Sequence, residues 1–141
     1  TKAALSEGIV AGGGVTLVNL SAGLKASGSD SIAAGRQILK EALKQPFLQI
    51  VKNAGLNAEA LLAQVEDGKP GFGVNVMKPE KGLVDVKKDG VIDPTRVTRE
   101  AVQNAVSIAS TAATMGALVV DIPEEESPMA GGMPGGGMGM M

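Results

Sequence analysis

The chain contains no cysteine, histidine, tryptophan or tyrosine, and each absence removes a class of function. Without cysteine there is no disulfide framework and no thiolate nucleophile or metal ligand. Without histidine the commonest metal ligand and the commonest general base are gone, so acid–base chemistry would have to rest on carboxylates or lysines. Nucleophilic catalysis built on a Cys or His pair is excluded; a Ser–Lys pair is not, but nothing in the spacing marks one. Phe47 and Phe72 are the only aromatics, so core volume must come from Ala, Val, Leu and Ile, which suits closely packed helices. A basic cluster is missing as well. The formal net charge is −2 and the Lys and Arg residues are scattered, which argues against a nucleic-acid partner, since phosphate binding needs a basic face. The acidic run Glu124-Glu125-Glu126 is consecutive, whereas a calcium loop needs ligands at alternating positions around a glycine, so no metal site is expected.

Long hydrophobic runs are scarce. The one charge-free stretch of spanning length, residues 101–120, carries Gln103, Asn104, Ser107, Ser110, Thr111, Thr114 and Gly116. It reads as a buried helix of small residues, not as a membrane span. No secretory signal is visible, because Ser6 and Glu7 stand where an apolar segment would have to begin; a cytoplasmic location is expected. At 44% hydrophobic and 20% charged, the 141 residues suit a folded globular chain the size of one domain or a large part of one. The sequence starts without Met and inside what reads as a helix, so a truncated chain is expected.

Periodicity predicts a mainly α-helical fold. Residues 1–7 read as the end of a helix stopped near Gly8. Residues 15–26, apolar at Val15, Leu17, Val18, Leu20 and Leu24, read as a helix opening at Gly12-Gly13-Gly14. A helix over 31–43 capped by Asp30 is expected next, then a separate short helix with Pro46 in its first turn, ended by Asn53 and Gly55. Asn57 should cap a further helix carrying Leu61, Leu62 and Val65. Gly68, Pro70, Gly71 and Gly73 make a loop, and the β-like runs 74–76 and 83–86 are able to pair as a short hairpin. Asp93-Pro94 should open the longest helix, to about Met115, with Asp93 as its cap. Residues 117–122 read as a short strand. The domain is therefore expected to span 1–122. Residues 123–141, acidic and then Gly/Met-rich, should form a flexible tail.

Three places hold residues suited to binding. Gly12-Gly13-Gly14 at a helix start would let a backbone approach an anion closely, or would serve only a tight turn or helix contact. It matches neither the Walker phosphate loop nor the dinucleotide fingerprint. Asp93 is either a helix cap or a carboxylate accepting from sugar hydroxyls, and each oxygen could do one job. The run Phe72-Gly73-Val74-Asn75-Val76-Met77 is either an ordinary hairpin or the lining of a base pocket, with Val76 and Met77 supplying apolar contact.

In this order, Glu7-Gly8-Ile9-Val10-Ala11-Gly12-Gly13-Gly14, Gly71-Phe72-Gly73-Val74-Asn75, Asp93-Pro94-Thr95-Arg96-Val97-Thr98 and a Gly-Met tail resemble group I (GroEL-type) chaperonins, over essentially the whole chain. The resemblance is to the C-terminal part of the equatorial domain, which in that family is helical, binds ATP and makes most ring contacts. It implies that Gly13, with Gly12 beside it, contacts the nucleotide, that Asp93 binds the ribose hydroxyls, and that Asn75, Val76 and Met77 sit at the adenine. Where the family has small residues after that Asn, Val76 and Met77 are larger, so base contacts are expected mainly through the backbone. Residues 78–90 also run slightly longer than in the family's best-known members. The family's Gly-Asp-Gly-Thr-Thr phosphate segment, its magnesium and potassium ligands, its hydrolytic Asp and its apical domain have no counterpart among these residues. The implied function is a piece of an ATP-dependent protein-folding chaperonin that is not itself a catalyst. Its implied partners are sister subunits in a homo-oligomeric double ring, with the co-chaperonin and unfolded proteins bound through the missing parts. Two other readings remain: a stand-alone helical module for assembly, and an enzyme using the glycine run as a phosphate loop.

Overall fold

The structure, a computed structural model, describes residues 2–25, 27–117 and 119. As expected, helices dominate. Helix α1 (Lys2–Glu7) stops at Gly8, whose N–H reaches back to the Ala4 carbonyl at 2.9 Å. Strand β1 (Ile9–Ala11) leads through the glycine run into α2 (Val15–Gly23), and α3 (Asp30–Asn53) and α4 (Ala58–Asp67) follow. Strands β2 (Phe72–Val74) and β3 (Leu83–Asp85) pair antiparallel across a 3-10 turn, Pro79–Lys81. Strand β4 (Ile92–Pro94) then enters α5 (Thr95–Thr114). The expected strand over 117–122 and the tail 123–141 lie outside the described residues, apart from Ala117 and Val119, which are in no element.

The core lies between α2, α3, α4 and the end of β3. Val15, Val18, Phe47, Val51, Val65 and Val86 are buried there, with Ala11, Leu48, Ala58 and Leu62 around them. Lys44 ties α3 to α4 through Glu66 at 3.0 Å, and this partner, opposed by partial burial, raises the lysine's pKa. Asn57 caps α4 as expected, its Oδ1 accepting from the Ala60 N–H at 3.1 Å.

Three expectations are corrected. The two helices expected over 31–53 are one, running straight through Pro46. Leu43, Phe47 and Val51 recur every four residues across the proline on one buried face. Burying a large apolar side chain is worth roughly 1.5–3 kcal/mol, so several together outweigh the ~3 kcal/mol of an interior proline. This helix begins at Asp30, with Ser29 in the cap position, so Asp30 is a first-turn acid and not the cap. Asp93 does not cap α5 either. Pro94 occupies that position, and Asp93 lies in β4. A residue before proline is pushed towards extended backbone, and the strand takes it up.

Candidate functional site

The site is assembled by a two-stranded ribbon. β1 and β4 pair antiparallel, with Val10 opposite Asp93 and Ala11 opposite Ile92. The pairing runs on at both ends: Thr95 donates to the Gly8 carbonyl at 3.1 Å and Gly12 to the Val91 carbonyl at 3.0 Å. The glycine run therefore emerges beside the strand that holds Asp93. Neither strand was expected from periodicity. The signal lay in the β-branched pair Ile9-Val10, bounded by Gly8 and Gly12, and in the pre-proline position of Asp93.

Each glycine of the run has its own cause. A Cβ on Gly12 would stand 2.9 Å from the Ile92 backbone, and one on Gly14 would stand 2.8 Å from the backbone of Phe47. Packing accounts for Gly12, which seats the ribbon; at Gly14 packing lets α2 cross α3, and a φ of +81° adds to the requirement. Gly13 has more room, with Val91 Cγ1 at 3.4 Å, and is a glycine because its φ is +64°. Among the described residues, no backbone acceptor takes the N–H groups of Gly13 and Gly14.

The Asp93 carboxylate makes no hydrogen bond to another side chain or to a capping N–H among the described residues. It is the only charged side chain lining a groove of about 500 Å³ between α2, α3 and α5, alongside Gly14, Thr16 and Pro46. Apart from Thr98, the rest of that groove is apolar. Neither Gly13 nor Asn75, Val76 and Met77 line it.

The Asn75 segment follows β2, outside that groove. Gly73 of β2 packs so closely on Val15, the first residue of α2, that a Cβ there would overlap the valine side chain. β2 is thereby held against the start of the helix that follows the glycines. Asn75 is buried, Val76 packs on the core, and Met77 is 84% exposed. Asn75 follows β2 and is not a strand residue; its Oδ1 accepts from the Met77 N–H at 3.0 Å, its carbonyl accepts from Lys78 at 2.8 Å, and its amide donates to Asp89. The structure thus joins Gly12, Gly13 and Asp93 through the ribbon. The Asn75 turn is linked to them indirectly, through residues 86–91. Asp89, which pairs with Lys81 at 2.6 Å, was not foreseen; nothing in its spacing distinguished it from a turn residue. Among the described residues, no three acidic side chains converge to hold a metal, and no helix is long and apolar enough to cross a membrane.

Residues 1–123 match the TCP-1/cpn60 chaperonin family. The chain belongs to that family. Two solved structures are similar in fold. One is the open-state monomer of a group II chaperonin from Methanococcoides burtonii, at 25% identity and a TM-score of 0.72, over 80% of this chain and 30% of that one. The other is a group III chaperonin in the open state, at 28% identity and a TM-score of 0.70, over 83% of this chain and 25% of that one. This chaperonin-family chain therefore spans less than a third of the length of either. Both neighbours lie outside group I, so family membership is established at the level of the chaperonins as a whole.

Proposed function

We propose that this chain supplies the ribose and base side of an ATP site, and part of the subunit contacts, in an ATP-dependent protein-folding chaperonin. The observation that carries the reading is the β1–β4 ribbon, which sets the Gly12-Gly13 turn beside the strand of Asp93 within a chaperonin-family match. The donor set fits a nucleotide. A carboxylate with no hydrogen-bond partner among the described residues is able to accept from vicinal hydroxyls, and backbone N–H groups without an acceptor among those residues, at a helix start, favour an anion. Asp93 takes the ribose, Gly13 with Gly12 takes the nucleotide's sugar–phosphate side, and Asn75, Val76 and Met77 border the adenine. Magnesium, potassium and the phosphate-binding groups belong to parts of a chaperonin subunit outside these residues, so no turnover is assigned here. Assignment to group I, assembly with copies of itself into a double ring, work with a co-chaperonin and a cytoplasmic setting belong to the same reading; they rest on the motifs in the sequence.

The test is an ATP titration of the isotope-labelled chain followed by NMR. Shifts centred on Gly13, Asp93 and Met77, saturating in the roughly millimolar range of a partial site, are expected, with no hydrolysis above background. Because Asp93 caps nothing, Asp93→Ala should abolish these shifts while changing stability by no more than about 0.5 kcal/mol. Unchanged shifts in that variant would remove Asp93 from the ribose, and hydrolysis that disappears with it would make the chain an enzyme.

A second reading, assembly without nucleotide, is favoured by the apolar lining of the grooves between α2, α3 and α5. Sedimentation and the titration together separate the two, since an assembly module without a nucleotide site associates and shows no ATP-dependent shifts.

A further inference from the structure

Both polar atoms of the Asn75 side chain are bonded within the protein, which changes how this part of the site can work. Its Oδ1 holds the Met77 N–H and its amide is held by Asp89 Oδ2. The other Asp89 oxygen, Oδ1, is taken by Lys81 Nζ at 2.6 Å. One carboxylate thus bridges the turn after β2 and the 3-10 turn before β3. Asp89 itself is fixed from behind: its N–H donates to the Asp85 carbonyl at 3.0 Å, and Val91 donates to the Val86 carbonyl at 2.8 Å. That loop continues directly into Val91, which receives Gly12, and into Asp93.

We propose that Asp89 is a positioning residue for the base side of the site, orienting the Asn75 amide so that the turn presents the Val76–Met77 backbone to a purine base. This rests on the nucleotide reading above. A charge-assisted bond fixes one rotamer of Asn75 better than a neutral one would. With its amide nitrogen on Asp89 and Oδ1 turned to Met77, the Asn75 side chain is fixed in place and keeps only one N–H and one lone pair for a base edge. Because the Met77 N–H is itself given to Asn75, recognition falls mainly to the Val76 main chain, the Met77 carbonyl and the exposed Met77 side chain. The charged groups around Asp89 reinforce the arrangement: the Lys81 bond first, then the Asn75 amide and the Lys78 charge, hold its carboxyl below the usual aspartate range.

The test uses the labelled 141-residue chain as wild type, Asp89→Ala and Asp89→Asn, each titrated with ATP. Asp89→Ala should move the Asn75 side-chain amide pair and the Met77 N–H before any nucleotide is added, and then weaken ATP binding roughly tenfold. The Asp93 signal should still shift at saturation, since the ribose side is untouched. Asp89→Asn keeps an acceptor for the Asn75 amide and should stay within about threefold of wild type. Unmoved Asn75 and Met77 signals in Asp89→Ala would overturn the proposal. So would moved signals with unchanged ATP affinity, which would make Asp89 a purely structural residue. If the wild-type chain shows no ATP shifts at all, the nucleotide reading itself fails, and the positioning role falls with it.

Discussion

Helices α3 and α5 are of similar length and meet opposite fates. α3 buries Leu43, Phe47, Leu48 and Val51 against α2 and α4. α5 was expected from the small residues of its second half to be buried, but it has no buried residue, and Val97, Val106 and Ile108 are exposed. α5 is held instead by its first turn, which continues β4, and by Arg99, which grips the Glu7 carboxylate of α1 with two nitrogens at 2.8 and 3.3 Å. One half of the molecule is secured by exclusion of water, the other by a ribbon and an ion pair. The grooves between α5 and the core are the visible consequence: apolar walls left uncovered among the described residues.

The sharpest way to break that contrast is to cut a side chain on each side of it. Phe47→Ala should cost about 3–5 kcal/mol in denaturant unfolding, the usual range for deleting a buried aromatic. Val106→Ala, on α5, should cost no more than about 0.5 kcal/mol. Equal losses would show that α5 is as firmly packed as α3. Next in size is the glycine run. Gly14→Ala combines left-handed strain with a clash on the Phe47 backbone and should cost roughly 2–4 kcal/mol; Gly13→Ala carries the strain alone, roughly 1–2 kcal/mol. A reversal of that order would mean that α2 does not cross α3 at Gly14. The smallest effect is electrostatic. The Arg99 bond, which outweighs partial desolvation, lowers the Glu7 pKa. Its contribution is thus present above the ordinary glutamate value near 4.3 and is lost as pH falls through the depressed folded value. Hydrogen exchange should therefore show α1 and α5 loosening below about pH 4 while α3 stays protected, and loss of protection in both at once would refute the division.

Much of this was legible in the sequence, and what was not follows a pattern. The mainly helical fold, the existence of the hairpin (its first strand is Phe72–Val74, two residues before the expected 74–76), the Asn57 cap and the start and end of α5 to within a residue come from local signals: periodicity, caps and turn residues. The continuity of α3 through Pro46 was hidden because a proline's local cost is visible in the sequence, whereas the burial that outweighs it depends on α2 and α4. Strands β1 and β4, three residues each, were hidden because a strand that short acquires its identity only from its partner. For the candidate site the result is mixed. Gly12, Gly13 and Asp93 were picked out by residue type, but their spatial relation required the ribbon. Asp89 was invisible because its role depends on Asn75, fourteen positions away.

The ribbon has a kinetic side. Val10 and Asp93 are about 80 residues apart, so closing their pairing costs on the order of 4 kcal/mol of chain entropy beyond a constant, before any contact repays it. Helices α3 and α4 meet across a few residues and face no such delay. The candidate site should therefore mature late in refolding, after the core has collapsed, and a nick in the exposed connection near Gly28 would turn its assembly into a bimolecular reaction. The speed at which the geometry of the candidate site appears would then depend on chain topology as well as on the strength of its contacts.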